Sequence, residues 1–313
     1  MKSPLIFIVG PTAVGKTEIS IRLAQRINAE IVSMDSRQIF RQMDIGTAKP
    51  TSEQQHAVPH HLIDCTDVDR PFTAADYQRR ADAAIEDICR RKKRPLIVGG
   101  AGLYFRVLVD GLFEGPGANG DIRSRLFREL EDQGAAALHN RLRSCDPEAA
   151  NRIHPNNLVK VIRALEIHEL TGKPISSFQQ QWTRSDSRYP FRAFGLCVPR
   201  DCLYRRVETR VNQMIESGLI EEVKGLLDGG CPRNCVAMQG IGYKEIVGYL
   251  DGQQSLDEAI ALLKTNTRRF AKRQLTWFRN DPRIQWVELT QYESVHQAVD
   301  NLLSQSDVRA LKA

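Results

Sequence analysis

At 313 residues and 42% hydrophobic content, the chain can bury a sizeable core, which excludes global disorder. No apolar run approaches the roughly 18 residues that span a bilayer, and the sequence opens on a strand pattern without a charged leader, so a soluble, cytoplasmic protein with no membrane partner is expected. The formal charge of +6 points to an anionic partner without naming it, and seven scattered cysteines argue against a disulfide framework.

In chain order, "PLIFIVG" is a short apolar run ending at glycine, and a helical pattern follows from Lys16 to Ile27. "AEIVSMDS" reads as a second buried strand. The helix-like "AADYQRRADAAIEDICRRKK" leads to a third strand, Arg94 to Gly100, and Phe191 to Val198 forms a fourth. This alternation predicts an α/β fold with a parallel sheet flanked by helices. Residues 119–189 are helix-forming and arginine-rich, and are expected to be a mostly helical insertion domain between core segments 1–118 and 190–313. The last third reads as mostly helical, punctuated by "DGG", "QGIGY" and "DGQ". Between Lys264 and Arg283 it carries seven basic residues against one acid, Asp281. Cys231 and Cys235 stand as C-x3-C, but without a second Cys/His pair a zinc site is not expected.

Gly10-Pro11-Thr12-Ala13-Val14-Gly15-Lys16-Thr17 satisfies G-x-x-x-x-G-K-[ST] between a strand and a helix, the pattern of a P-loop NTPase-like fold. Its glycines let backbone amides surround a phosphate, Lys16 adds a cation, and the Thr17 hydroxyl can ligate Mg2+. A nucleoside triphosphatase also places a metal-binding acid at the end of a central strand, yet "PLIVGGAGLY" ends in glycines. Asp35, after the second strand, would open onto the same crevice as the loop. It is a candidate for catalysis, with the cap of the next segment as the other reading.

"GPTAVGKT", "DSRQIFRQMDIGTAKP", "PHHLID", "FTAADY", "PLIVGGAGLY", "VIRALE", "AMQGIGYKE" and "KRQLTWFR" together resemble the bacterial tRNA dimethylallyltransferase family, in family order from residue 4 to about 280. The resemblance implies that the loop, residues 10–17, holds the diphosphate of dimethylallyl diphosphate as a leaving group with Mg2+ at Thr17. Asp35 would then take a proton from the exocyclic N6 of an adenine, whose delocalised lone pair makes it a poor nucleophile. Such general-base assistance is worth typically 10²- to 10⁴-fold, hence roughly that loss on its removal. Similarity to R-x3-M-x3-GL-x-EEV adds Arg210 as a diphosphate contact.

For the RNA, an anticodon stem-loop, the resemblance implies contacts from Asp35, Ser36, Arg37 and Gln38, from Ala101 and Arg123, and from Val159, Lys160, Val161, Ile162 and Arg163. It adds the basic helix, Lys272, Arg273, Gln274, Leu275, Thr276, Trp277, Phe278 and Arg279. Within that helix, Phe270 and Trp277 are expected to form a core stripe and the arginines an RNA-facing surface. Ala101 departs from the related GGTGLY and removes a hydroxyl, while His60 and His61 are expected to be structural. A monomer is the expectation. The alternatives are an enzyme that prenylates free adenine nucleotides, a small-molecule kinase on the same loop, and a non-catalytic RNA-binding protein using the loop as a nucleotide switch.

Overall fold

The structure, a computed structural model, describes residues 4–112, 115–178 and 187–305, so parts of the expected insertion (179–186) and of the C-terminal segment (306–313) lie outside the described residues. The elements are β1 (Leu5–Val9), α1 (Lys16–Ile27), β2 (Ala29–Met34), α2 (Ser52–Ala57), β3 (His60–His61), α3 (Ala74–Arg90), β4 (Arg94–Gly99) and α4 (Gly102–Val109). Then come α5 (Gly120–Cys145), α6 (Pro147–Arg152), α7 (Leu158–Thr171) and α8 (Ile175–Phe178). The chain continues with β5 (Phe191–Cys197), α9 (Arg200–Glu216), α10 (Leu219–Asp228), α11 (Tyr243–Leu250), α12 (Leu256–Arg279), β6 (Ile284–Glu288) and α13 (Val295–Gln305). No described helix is long and apolar enough to cross a membrane.

Contacts divide the chain into two compact units, Met1–Val109 with Tyr189–Ala313, and Asp110–Arg188. The first holds a six-stranded, wholly parallel sheet in the order β3-β2-β4-β1-β5-β6. Every residue of β1 and β2 is buried, as befits strands covered on both faces. Against the sheet α1 lays Ile19, Leu23 and Ile27, spaced four apart on one face, and α13 adds Ala298 and Leu302. A second core joins Ile39, Phe40 and Met43, which follow β2, to Val211, Leu219, Val223, Ile246 and Leu263 from α9 to α12. The long α12 starts at a capping box, where Ser255 Oγ accepts from Glu258 N–H and the Glu258 carboxylate accepts from Ser255 N–H.

The second unit is helical, packed about Leu126, Leu138, Leu142, Val161, Ile162 and Leu165. Gly134, at φ 81°, breaks α5 into two helical stretches. The unit begins before residue 119 because Arg163 Nη1 and Nη2 donate to the carbonyls of Gly117 and Pro116, and Glu166 accepts from Asn119 N–H.

Two strands escape the sequence reading. β3 has only two residues, and β6, "IQWVE", at the sheet edge, buries Ile284 and Val287 without a period-two pattern, within a stretch read as helical. The histidines of β3 pair with β2, and His61 Nε2 lies 2.7 Å from Oε2 of buried Glu30, which Arg91 and Lys93 also engage.

The glycine end of β4 has a steric cause. In register with Met34, Gly99 leaves no room for a side chain, since a Cβ there would lie 1.9 Å from the Met34 carbonyl oxygen. Gly99→Ala is expected to destabilise the protein by about 1–3 kcal/mol in denaturant titration, as forced overpacking does. An unchanged unfolding midpoint would contradict this account of the glycine.

Candidate active site

The site is built at the carboxyl edge of the sheet, where β1, β2 and β4 release their loops. After β1, Ala13 (φ 64°) and Gly15 (φ 107°) adopt the left-handed region, bending the loop toward the start of α1. That helix has no side-chain cap, so its first amides are left for an anion. Lys16 Nζ folds back to donate to the carbonyls of Gly10 (3.0 Å) and Pro11 (2.7 Å). Burial and the neighbouring Arg210 guanidinium push the Lys16 ammonium down to about 7, against the opposing pull of Asp35.

Two arginines of α9 reach the loop. Arg210 Nη1 donates to Thr12 Oγ1 at 3.0 Å, and Arg206 Nη1 donates to Val14 O at 2.8 Å. Burial lowers the Arg210 guanidinium and Asp35 pulls it back up, so Lys16, Arg210 and Asp35 form one mutually interacting cluster. Arg206 was missed in the sequence, although its spacing of four from Arg210 puts both on one helix face.

Asp35 caps the segment that follows β2 and also lines the cavity. Its Oδ1 accepts from the backbone N–H of Arg37 at 2.8 Å and of Gln38 at 3.4 Å, fixing the turn after β2, and the residue lines the same cavity as Lys16 and Thr17. Ser36 is exposed. Arg37 Nη1 donates to Val236 O at 2.6 Å, while Gln38 Nε2 donates to the carbonyls of Thr47 and Ala48 and its Oε1 accepts from Ser33 Oγ. The turn just before Thr47 and Ala48 is held by Glu222 of α10, which accepts from the N–H groups of Asp44, Ile45 and Gly46 and from Tyr243 Oη. One carboxylate thus anchors the loop that orients Gln38, a role no sequence spacing announced.

A cavity of about 680 Å³ collects these parts. Beside the phosphate loop and Asp35, it is lined by Ala101, Arg206, Arg210, Lys244, Phe270 and Arg273. Phe270 therefore departs from the expected core stripe: it is 36% exposed, and the Arg273 guanidinium lies over its ring at 5.8 Å. Trp277 keeps to the expectation, packing edge-on to Phe105 and Phe278. Behind Thr17 lies a niche of about 50 Å³ lined also by Ser20, Ser33, Asp35 and His60. His60 is otherwise tied to the Val58 carbonyl.

On α12, Lys272, Arg273, Thr276 and Arg279 are exposed, Leu275 and Trp277 are half-buried, and Gln274 and Phe278 are buried. In the helical unit, Val159 and Lys160 are exposed, whereas Val161 and Ile162 are core residues whose side chains present nothing to solvent. Arg123 and Arg163 are both paired with the fully buried Glu166. Burial would raise that carboxyl, but the hydrogen bonds from Arg123 and Arg163 prevail and hold it below its usual range.

A family model described as IPP transferase matches residues 38–281. The chain is 52% identical over 287 residues to a tRNA dimethylallyltransferase of Geobacter sulfurreducens, covering 92% of both chains. It is 48% identical over 304 residues to that of Symbiobacterium thermophilum, covering 97% of this chain and 95% of the relative. Among solved structures, a tRNA isopentenylpyrophosphate transferase from Bacillus halodurans superposes with a TM-score of 0.73 at 45% identity over 99% of each chain. A eukaryotic dimethylallyltransferase acting on tRNA gives 0.78 at 29% identity, over 97% of this chain and 79% of the other. With the family match spanning more than half the sequence and these relatives nearly all of it, the chain belongs to the IPP transferase family.

Proposed function

We propose that the chain transfers the dimethylallyl group of dimethylallyl diphosphate to N6 of the adenosine 3′ of the anticodon in tRNAs reading codons that start with U, releasing diphosphate. The observation that carries this reading is one cavity that holds a phosphate-binding loop, a carboxylate and an aromatic–arginine pair together. The loop amides, Lys16, Arg206 and Arg210 suit the leaving diphosphate, which gains negative charge as its bond to carbon breaks. On the other side, the adenine must leave the anticodon stack to reach Asp35. As N6 forms its bond to the allylic carbon, its proton passes to the Asp35 carboxylate, and the carbon–oxygen bond releases diphosphate.

Among the described residues no group of three or more His, Cys, Asp or Glu side chains converges for a metal. Mg2+ needs no such cage, because it keeps waters and takes one or two protein oxygens alongside substrate phosphates. The Thr17 hydroxyl, in a niche lined by Ser33 and Asp35, fits that demand. When bound, the ion would neutralise charge on the diphosphate. The exposed Lys272, Arg273 and Arg279 of α12, with Arg123, Lys160 and Arg163 of the helical unit, supply the cations for an RNA backbone.

Asp35→Asn is expected to lower the single-turnover rate by about 10²- to 10⁴-fold while donor binding persists. Near-normal turnover would remove Asp35 from the mechanism.

Lys16 gives a pH signature. The free ammonium sits near 7, so a diphosphate that restores its charge takes up a proton on binding, and donor affinity is full at lower pH and falls as pH rises through that value. Calorimetry of dimethylallyl diphosphate binding in buffers of different ionisation enthalpy at about pH 8 is expected to register proton uptake, which Lys16→Met abolishes. A pH-independent affinity without uptake would contradict the assignment.

A further inference from the structure

Gln274 stands apart on α12. Its neighbours Lys272, Arg273 and Thr276 face outward, yet Gln274 is only 8% exposed and both ends of its amide are engaged. Oε1 accepts from Thr12 N–H at 2.8 Å, and Nε2 donates to Gly100 O at 2.9 Å. Those residues belong to different loops, one leaving β1 and the other leaving β4. A glutamine carboxamide offers an acceptor to one backbone and a donor to the other from a single planar group at the end of a flexible stem. Glutamate would turn an oxygen against the Gly100 carbonyl, a cation has no acceptor for Thr12 N–H, and methionine has only a weak one.

The second contact explains a glycine. A Cβ on Gly100 would lie 2.2 Å from Gln274 Nε2 and 3.2 Å from Gly10 O, so the close approach of helix and loop requires glycine here. Thr12, in turn, is held at two points, its amide by Gln274 and its hydroxyl by Arg210. It immediately precedes Ala13, where the backbone turns left-handed to aim the later amides.

From this geometry we infer that Gln274 is a positioning residue of the phosphate loop, clamping Thr12 to Gly100 so that the amides of residues 13–17 stand ready for the diphosphate, and that it does not contact RNA. The inference rests on the reading of the loop as a diphosphate site. It also gives α12 two jobs on two faces: outward cations for the polyanion, and one inward carboxamide for the leaving group.

The test uses the full chain, inorganic pyrophosphate as probe, and an anticodon stem-loop titrated over a salt series. Gln274→Met keeps the length and approximate volume of the side chain but loses the carboxamide. It is expected to weaken pyrophosphate binding and raise the donor KM by about tenfold, as loss of two ordinary hydrogen bonds allows. The stem-loop Kd and its salt slope should stay within about twofold. Loss of RNA affinity with unchanged pyrophosphate affinity would overturn the inference and return Gln274 to the RNA surface. Wild-type protein that fails to bind pyrophosphate would remove the diphosphate reading itself; binding by both forms alike would remove only the role of Gln274.

A double-mutant cycle separates positioning from general damage. Gly100→Ala should weaken pyrophosphate binding on its own, but add little to Gln274→Ser, because the shorter side chain vacates the space the new methyl needs. Fully additive losses would contradict a shared contact.

Discussion

Close backbone approach at the carboxyl edge of one parallel sheet is the constraint on which the site depends. A Cβ at Gly10 would lie 2.7 Å from Leu196 O, one at Gly99 1.9 Å from Met34 O, and one at Gly100 2.2 Å from Gln274 Nε2. Gly10 and Gly99 let strand ends come nearer to a neighbouring backbone than any side chain permits, while Gly100 makes room for the Gln274 side chain. Because β1, β2 and β4 are adjacent in the order β2-β4-β1, their loops then converge on one crevice. Phosphate loop, Asp35 and glycine turn thus share a cavity without any long excursion of the chain.

Charge balance follows from that convergence. Lys16 and Arg210 lie half-buried near each other, and desolvation pulls each below its ordinary protonation range. Asp35 is the nearby negative partner, opposing both shifts. An arrangement with more buried positive than negative charge is ready for an anion, and the proposed diphosphate would complete it. Within each unit, carboxylates act as scaffolding: Glu222 of the first collects three backbone amides and a tyrosine hydroxyl, and Glu166 of the second collects two arginines. Glu166 is fully buried, and its several donors are what make that burial tolerable.

Much of the frame was legible from the sequence because fully buried parallel strands read as continuous apolar runs. β1, β2, β4 and β5, and α1 from Lys16 to Ile27, fall where those runs and the helical spacing put them. The edge strands did not show: β3 is too short to carry a pattern, and β6 mixes Gln285 and Glu288 with its apolar residues. At the site, local motifs announced Lys16, Thr17 and Asp35. Residues whose roles depend on long-range contacts stayed silent: Arg206 reaches back 192 positions to Val14, and Gln274 reaches 262 positions to Thr12. Phe270 misled because its spacing to Trp277 matches a core stripe, while the stretch of α12 it occupies borders the open cavity.

The central claim is that a phosphate loop serves an alkyl transfer to RNA. Its most direct test follows label from dimethylallyl diphosphate in the presence of Mg2+, an anticodon stem-loop with an unpaired adenosine run, and AMP and ATP as competing acceptors. The account predicts label on the RNA alone, with diphosphate released in step. Label on AMP, or ATP turnover without prenyl transfer, would contradict it.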